Sequence, residues 1–269
     1  MRRRELAGHL QRAEGVMIGT YLDPDPRHPR FSVDASKRID GVVCLAARHM
    51  DLDFLGRALG FGTTRDATPR LLDRIERHYA ALGRPTRIAI ANGCVPVSTL
   101  RLLERRGYAP VDAAPVLLYL YDRARPPAMP MVADLTIERV GPELASLYAR
   151  TSAESFPERG PDFATVIGRL VRSRRRGLRT FLGRIGGEPA ATGMLMDVAP
   201  VGGLMNGSVR PAFRGRGIQR ALLAHRMRDG WSRGYRLFFG ETGNPASAHN
   251  MEALGWRKLC DETTWERRA

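Results

Sequence analysis

The chain has 269 residues, enough for roughly two domains that each bury a core of their own. Its net charge is +15 at pH 7, but the excess of Lys and Arg is spread over both halves and is not interleaved with aromatic residues, which disfavours a nucleic-acid-binding module. No apolar run approaches the roughly 20 residues that span a bilayer, and the three cysteines have no spacing typical of a zinc site, so we expect a cytoplasmic protein without a membrane partner or a bound metal.

The first half of the chain contains one clear amphipathic helix, predicted at residues 69–82. Thr68 suits its N-cap and Gly83 its end, and apolar residues recur on one side between them. The glycine-containing segment ahead of it, residues 60–66, lacks flanking arginines and ends in Asp66, whose charge would repel a phosphate. We therefore expect no phosphate site there.

Residues 123–130 are rich in Pro and Arg and predict a stiff, polar linker. After this linker, apolar periodicity and turn residues predict a mixed α/β segment. Strands are predicted at residues 135–139, 181–185, 190–198, 199–209 and 236–240, and helices at 142–156, 161–176, 217–229 and from Asn244 to Gly255.

The segment Arg214-Gly215-Arg216-Gly217-Ile218-Gln219 lies between a predicted strand and a predicted helix. Glycines leave backbone N–H groups uncovered, and a helix start adds free N–H groups and the positive end of its dipole, so the segment suits a diphosphate. A nucleoside-triphosphate loop needs Gly-Lys-Ser/Thr, which is absent, and a dinucleotide fingerprint fails because Arg220 stands where its last glycine belongs.

The same segment closely resembles the Arg/Gln-x-x-Gly-x-Gly/Ala turn of the GNAT acetyltransferase superfamily, although Gln219 departs from the final small residue. Asn244-Pro245-Ala246-Ser247 and the later Gly255-Trp256 resemble the family's Asn-x-x-(small)…Gly-(aromatic) segment. With the predicted strands and helices in the same order, the resemblance covers residues 133–269. It implies an α/β fold with a central mixed sheet flanked by helices.

An internal repeat extends the resemblance to the first half. Leu103-Glu104-Arg105-Arg106-Gly107-Tyr108 is echoed 148 residues later by Met251-Glu252-Ala253-Leu254-Gly255-Trp256. We predict two tandem GNAT-like domains: residues 1–126, degenerate and without a pyrophosphate loop, and residues 131–269, which bind acetyl-CoA. The first domain would then act as a built-in partner, forming a pseudo-dimer that lines the acceptor cleft.

The resemblance implies direct transfer of an acetyl group from acetyl-CoA to a primary amine, with no metal. It assigns the pyrophosphate to the six-residue loop and the pantetheine to the end of the preceding strand. Cofactor contacts are also expected from the helix that begins at Asn244. The predicted cofactor-binding residues are Ser208, Val209, Arg214, Gly215, Arg216, Gly217, Ile218, Gln219, Asn244, Ser247 and Asn250.

The acid and base positions depart from the family pattern. The strand before the loop carries no acidic residue, so the nearest candidate general base is Glu241, at the end of the next strand. Met251 stands where the family places a tyrosine proton donor; Ser247, His249 and Cys260 are substitutes for it.

Several alternatives stay open. The chain is either an N-acetyltransferase, a non-catalytic acyl-CoA sensor, or a basic nucleic-acid-binding protein. The arginine-rich run of residues 172–179 is a solvated helix end, a contact to substrate or to the 3′-phosphate of CoA, or a nucleic-acid contact. The acceptor, a small molecule or a peptide amine, is not specified by any motif, nor are the acyl chain length and the oligomeric state.

Overall fold

The computed structural model describes residues 2–21, 37–46, 56–111, 115–159 and 162–267. Their contacts divide the chain into two compact units. Unit 1 comprises Met1–Leu118 and Lys258–Ala269, and unit 2 comprises Tyr119–Arg257. The sequence-based division at residues 126 and 131 gave the C-terminal strand to the second domain, whereas its contacts group residues 258–269 with unit 1.

The described elements are helices and strands mixed along the chain, with single strands or runs of three strands between most helices. Unit 1 contributes most of the first ten, and unit 2 most of the rest. They are α1 (Arg3–Tyr21), β1 (Lys37–Ile39), β2 (Val42–Cys44), β3 (Ala58–Leu59), α2 (Pro69–Ala81), β4 (Arg87–Ala91), α3 (Val97–Arg105), β5 (Tyr108–Pro110), β6 (Val116–Tyr121), β7 (Leu135–Val140), α4 (Ala145–Ser155), α5 (Asp162–Arg172), β8 (Leu178–Ile185), β9 (Glu188–Val198), β10 (Val201–Val209), α6 (Ile218–Ser232), β11 (Leu237–Thr242), α7 (Pro245–Ala253) and β12 (Arg257–Arg267).

The sheet of unit 1 has the order β1-β2-β3-β4-β12, with β5 also pairing with β12. β3 and β4 are parallel and are joined through α2, whereas β12 pairs antiparallel with β4. The predicted helix is confirmed, because the Thr68 side chain caps α2 by accepting from the Leu71 amide. Its apolar side, including Leu72, Ile75 and Tyr79, lies in the core of the unit.

Helix α1 buries polar side chains in unit 1. The Gln11 amide donates to Glu262 at 2.8 Å and accepts from the Thr63 hydroxyl at 2.7 Å. Arg57 pairs with Glu14 and, at 3.1 Å, with Glu262. Burying polar or charged groups costs free energy unless they form hydrogen bonds or ion pairs, and this network supplies those partners.

The sheet of unit 2 has the order β6-β11-β10-β9-β8-β7. β10 and β11 are parallel, and the remaining pairs from β10 to β7 are antiparallel. Helices α6 and α7 cover one face, where Phe238 meets Gly230 and Gly240 meets Met251, and α4 packs on β9 and β10 from the other. The predicted mixed sheet flanked by helices is therefore confirmed.

Helix boundaries in unit 2 differ from the prediction at two places. The helix predicted at residues 142–156 begins as a 3-10 turn, Pro142–Leu144, before α4. The helix predicted at residues 161–176 ends at Arg172, because Arg174 (φ 48°) and Gly177 (φ 84°) adopt left-handed conformations that no α-helix continues. The arginine-rich run therefore begins at the last residue of α5 and continues through a turn into β8.

The two units share an order of elements. In unit 1 the parallel strands β3 and β4 are followed by α3, and in unit 2 the parallel strands β10 and β11 are followed by α7. Gly107 and Gly255 follow α3 and α7 with φ of 79° and 87°. None of the described helices combines the length and apolar character needed to cross a membrane.

Candidate functional site

The glycine loop joins β10 to α6. Gly215 and Gly217 have φ of 81° and 77°, values at which a Cβ is strained and glycine is favoured. Among the described residues, nothing beyond the chain neighbours of Gly215 comes within 4 Å of the Cβ that an alanine would carry. The backbone of the loop is thus open to a ligand.

The N-terminus of α6 has no side-chain cap. Gly217 is its N-cap residue, and in the described chain no side chain accepts from the first-turn amides. In α7, by contrast, the Asn244 side chain accepts from the Ala246 and Ser247 amides at 2.9 and 3.3 Å. The uncapped N–H groups of α6 and the positive end of its dipole favour an anion at the loop.

The two loop arginines are used differently. Arg214 donates to the Val209 carbonyl oxygen at 3.2 Å and to that of Ser155 at 3.1 Å, so it holds the loop to the ends of β10 and α4. Arg216 stacks its guanidinium 5.5 Å from the centre of the Phe213 ring. Arg214 is therefore mainly structural, whereas Arg216 keeps its charge at the exposed edge of the loop.

Three of the predicted cofactor residues meet between α6 and α7. Gln219 donates to the Ser247 hydroxyl at 3.0 Å and accepts from the Asn250 amide at 2.7 Å. Asn244 caps α7, so its amide oxygen is occupied. Gln219, which stands where the family has a small residue, thus links the first turn of α6 to α7 through two hydrogen bonds.

Predicted pantetheine contacts lie at the end of β10. The Ser208 hydroxyl is buried and lies 2.7 Å from that of Thr192 on β9, so its backbone is what remains for a ligand. The parallel pairing of β10 with β11 runs from Val201 to Gly203. Both strands are fully described, and they form no further pairs after Gly203. The backbone of Ser208 and Val209 is therefore available for main-chain hydrogen bonds on the edge that faces β11.

Glu241, the predicted base, lies near the end of β11 and is partly buried. It lies two residues beyond Phe239, the last residue of β11 that pairs with β10. Because side chains alternate along a strand and Gly240 faces Met251 of α7, Glu241 is directed to the face that carries α4. Met251 itself is 3% exposed and packs against Gly240, so it is a core residue.

The substitutes for a proton donor are dispersed. The Ser247 hydroxyl accepts from Gln219, and His249 is exposed on α7. Cys260 belongs to unit 1, where it is buried. Ser247 thus lies between α6 and α7, His249 on the exposed side of α7, and Cys260 in the core of unit 1.

The sequence analysis missed Arg226, whose side chain on α6 is 1% exposed. Its Nη1 atom donates to the carbonyl oxygens of Met194 and Met205 at 3.0 and 3.2 Å, and its Nε atom to that of Leu222 at 3.2 Å. No described carboxylate pairs with it, and burial lowers its pKa to about 10. It still carries a proton at neutral pH, so it is a buried cation.

Arg226 lies beside an irregularity in β10. The register between β10 and β9 shifts between Met205 and Ser208, and Asn206 has φ of 49°. A Cβ on Gly207 would come within 3.0 Å of the Arg226 Nη2 atom. The guanidinium therefore supplies donors where the bulge disturbs the ladder. A glycine within each of two adjacent strands, which indicates close approach of another group, was the available sequence signal.

Tyr148 of α4 lies on the other side of the bulge. Its hydroxyl is near Thr192 and Asn206 but meets no described partner at hydrogen-bonding geometry. Burial raises its pKa well above the usual value, so it stays protonated. Asn206 donates instead to the Ser152 hydroxyl at 3.1 Å, which fixes the bulge to α4.

Comparison with known proteins agrees with this geometry. The family model described as an acetyltransferase (GNAT) domain matches residues 128–244, which include the loop and the N-cap of α7. This segment of the chain therefore matches a GNAT acetyltransferase domain. The match supports an acyl-CoA-dependent N-acyltransferase in general terms. Among curated proteins, none matches the chain by sequence.

Solved structures share the GNAT fold. A GCN5-related N-acetyltransferase from Kribbella flavida is 16% identical, with a TM-score of 0.62 over 97% of this chain and 96% of that one. A GCN5-related N-acetyltransferase from Sphaerobacter thermophilus is 20% identical, with a TM-score of 0.56 over 74% of this chain and 65% of that one. A functionally unknown protein from Staphylococcus epidermidis is 11% identical, with a TM-score of 0.58 over 87% and 93%. At these identities the likeness concerns the fold alone.

Proposed function

We propose that the chain transfers an acetyl group from acetyl-CoA to a primary amine, with the cofactor bound by unit 2. The observation that carries the proposal is the open backbone at Gly215 beside the uncapped first turn of α6. The pyrophosphate would accept hydrogen bonds from these N–H groups, with Arg216 adding positive charge. The acceptor is a small-molecule or peptide amine.

Unit 1 is proposed to be a GNAT-like domain that has lost its cofactor loop. Its glycine segment follows β3 and precedes α2, but a Cβ on Gly60 would meet Thr64 at 2.9 Å and one on Gly62 would meet Thr99 at 2.9 Å. Side chains thus occupy the space that is open at Gly215. The shared order of elements and the coverage of both units by the Kribbella flavida structure support this proposal. Unit 1 would serve as a structural partner, in the manner of a pseudo-dimer.

The proposed reaction is a direct attack. The amine nitrogen bonds to the thioester carbon, and backbone N–H groups near Ser208 and Val209 hydrogen-bond to the oxyanion that forms. The intermediate then collapses as its carbon–sulfur bond breaks and CoA leaves as a thiolate. Glu241 accepts the proton that the amine gives up, while the fixed geometry of two bound substrates supplies much of the rate.

Calorimetric titration of CoA into the full chain tests the loop. Gly215→Ala and Gly234→Ala are a matched pair, because both glycines have a left-handed φ (81° and 97°) and open surroundings, at opposite ends of α6. Both alanines should lower the free energy of unfolding by about 1 kcal/mol. Only Gly215→Ala should weaken CoA binding, by about tenfold or more, and Gly217→Val should abolish it.

Equal CoA affinity in Gly215→Ala and the parent would remove the loop from the proposal. Turnover is tested separately with acetyl-CoA and a panel of primary amines, by following release of free thiol. Release with at least one amine supports the transferase. Tight CoA binding without release across a broad panel would instead favour an acyl-CoA sensor.

A further inference from the structure

A second strongly basic concavity lies in unit 2, away from the glycine loop. It is a pocket of about 390 Å³ between the end of β7, the turn after α5, the start of β8 and the end of α6. Pockets of this size hold small molecules. We call this concavity the arginine pocket, because six arginines line it: Arg139, Arg174, Arg175, Arg176, Arg179 and Arg233.

The arginine pocket and the glycine loop lie at opposite ends of the domain. Arg233 follows the last residue of α6, whereas the loop precedes its first residue, and 15 helical residues span about 22 Å. β10 likewise begins near the pocket and ends at the loop, because Leu178 pairs with Met196 and Val198 with Val201. The 3′-phosphate of CoA is on the same ribose as the pyrophosphate, so a CoA bound at the loop does not reach these arginines.

The charge of the pocket is only partly neutralised. Arg179 pairs with Asp229 at 3.0 Å, and Arg233 pairs with Asp197. Gly141, which lines the pocket, donates its amide to the Glu143 carboxylate at 2.9 Å.

Three of the six arginines make no ion pair with a carboxylate in the described chain. They are Arg139, Arg174 and Arg176, all exposed. Their guanidinium groups are therefore available to bind a ligand with several anionic groups, each through two parallel hydrogen bonds.

The turn that carries the arginines is tightly built. Arg174 has φ of 48°, a left-handed conformation that costs a non-glycine residue free energy and must be held by its surroundings. The Leu178 amide donates to the Arg175 carbonyl oxygen at 3.1 Å, and the Asp197 amide to that of Gly177 at 2.9 Å. A Cβ on Gly177 would meet the Asp197 Cβ at 3.1 Å. The run is fixed against β9 and presents its guanidinium groups from a defined backbone.

The lining indicates the kind of ligand. Val140, Leu170 and Val171 are buried apolar residues beneath the arginines, and none of the described lining residues is aromatic. Single-stranded nucleic acid is bound by stacking its bases on aromatic side chains, for which the pocket offers none. A concave arginine cluster of this volume suits a compact ligand with several anionic groups.

We propose that the arginine pocket binds a small molecule bearing two or more phosphate groups, at a site separate from the cofactor loop. The proposal rests on the pocket and is independent of the acyl-transfer reaction.

Inorganic tripolyphosphate is the probe, titrated calorimetrically into the full chain at 0.15 M salt (roughly physiological) with saturating CoA present, so that the glycine loop is occupied. The test variant is Arg174→Ala/Arg176→Ala. The matched control is Arg101→Ala/Arg150→Ala, which removes the same charge from exposed positions on α3 and α4. We expect one tripolyphosphate per chain, weakened about tenfold or more in the test variant and less than about twofold in the control.

Two results would overturn the proposal. Equal weakening in both double variants would mean that tripolyphosphate responds only to the overall charge of the chain. Loss of all tripolyphosphate binding on adding CoA would place the probe in the glycine loop. CoA affinity, measured on the same variants, should stay at the parental value, because Arg174 and Arg176 lie at the other end of α6.

Discussion

The guanidinium carbon of Arg226 lies 2.8 Å from the point where a Cβ on Gly193 would stand. Arg226 thus occupies the space that a side chain of β9 would otherwise fill, and from there it reaches the carbonyl oxygens beside the β10 bulge. The identity of one residue explains that of the other. A buried arginine at position 226 requires a glycine at position 193 of β9.

This relationship predicts strong coupling between the two positions. Gly193→Ala should lower the free energy of unfolding by about 1 to 3 kcal/mol, because the new methyl group displaces the guanidinium. In an Arg226→Ala background the same substitution should cost far less, since no guanidinium remains to be displaced. Urea unfolding of the parent, both single variants and the double variant gives the interaction energy. Additive losses would show that the close approach has no energetic consequence.

Glu241→Gln tests the proposed base. General-base catalysis contributes on the order of 10²- to 10⁴-fold, so kcat/KM should fall by that order at neutral pH, where the acceptor amine is mostly protonated. The loss should shrink as pH rises and free amine becomes abundant. Glu252→Gln, on α7, is the control for removing a carboxylate elsewhere in unit 2. A Glu241→Gln enzyme with the parental rate at neutral pH would exclude Glu241 as the base.

Met251→Tyr should not create a proton donor. Met251 is buried, and its methyl group stands 2.6 Å from the position of a Cβ on Gly240, so a larger ring overpacks the space between α7 and β11. We expect a loss of about 1 to 3 kcal/mol in the free energy of unfolding. His249→Tyr, at an exposed position on the same helix, should change it by less than about 0.5 kcal/mol. Faster turnover with undiminished stability in Met251→Tyr would contradict this expectation.

His225 should make unit 2 less stable in mild acid. Burial against Phe181, at 5.4 Å between ring centres, lowers its pKa, opposed by Asp229 and reinforced by Arg226. Because the folded pKa lies below the unfolded value of about 6.5, the stabilising contribution is complete above that pH. It is lost as pH falls through the folded pKa.

The measurement is the difference between urea unfolding free energies at pH 7.5 and pH 5.5, values chosen to lie about one unit on either side of the unfolded pKa. This difference should be larger in the parent than in His225→Gln, whose side chain does not titrate. Other titrating groups contribute equally to both proteins. Identical differences would assign no such role to His225.

The glycine loop was predictable from sequence because backbone geometry dictates its residues. A left-handed turn that must also admit a ligand accepts little besides glycine, and Gly215 and Gly217 have that conformation. α2 was predictable for a related reason. Its capping residue and its apolar spacing describe the same helix, and Thr68 caps it as expected.

α1 was not predicted, although Leu6, Leu10 and Met17 recur at helical spacing and are buried. Gln11 and Glu14 are also buried in this helix, at 0% exposure, and their partners are far along the chain, Glu262 among them. These buried polar residues interrupt the apolar pattern, and the contacts that satisfy them cannot be read from the local sequence.

The end of α5 was predicted at residue 176, four residues too late, because the left-handed Arg174 and Gly177 that follow the helix leave no signal in the charge pattern. Arg226 likewise depends on two glycines in strands distant from it in sequence.

Unit 1 is begun first and completed last. Its strand β4 pairs with residues 262–266 of β12, and Glu262 closes the polar network beneath α1. During synthesis, which proceeds from the N-terminus, the first 118 residues therefore lack a strand and a buried carboxylate until residues 258–267 have been made. Unit 2, whose residues are continuous in sequence, can assemble earlier. Ribosome-bound chains that stop before residue 258 should thus expose the edge of β4, which is then open to pairing with another chain.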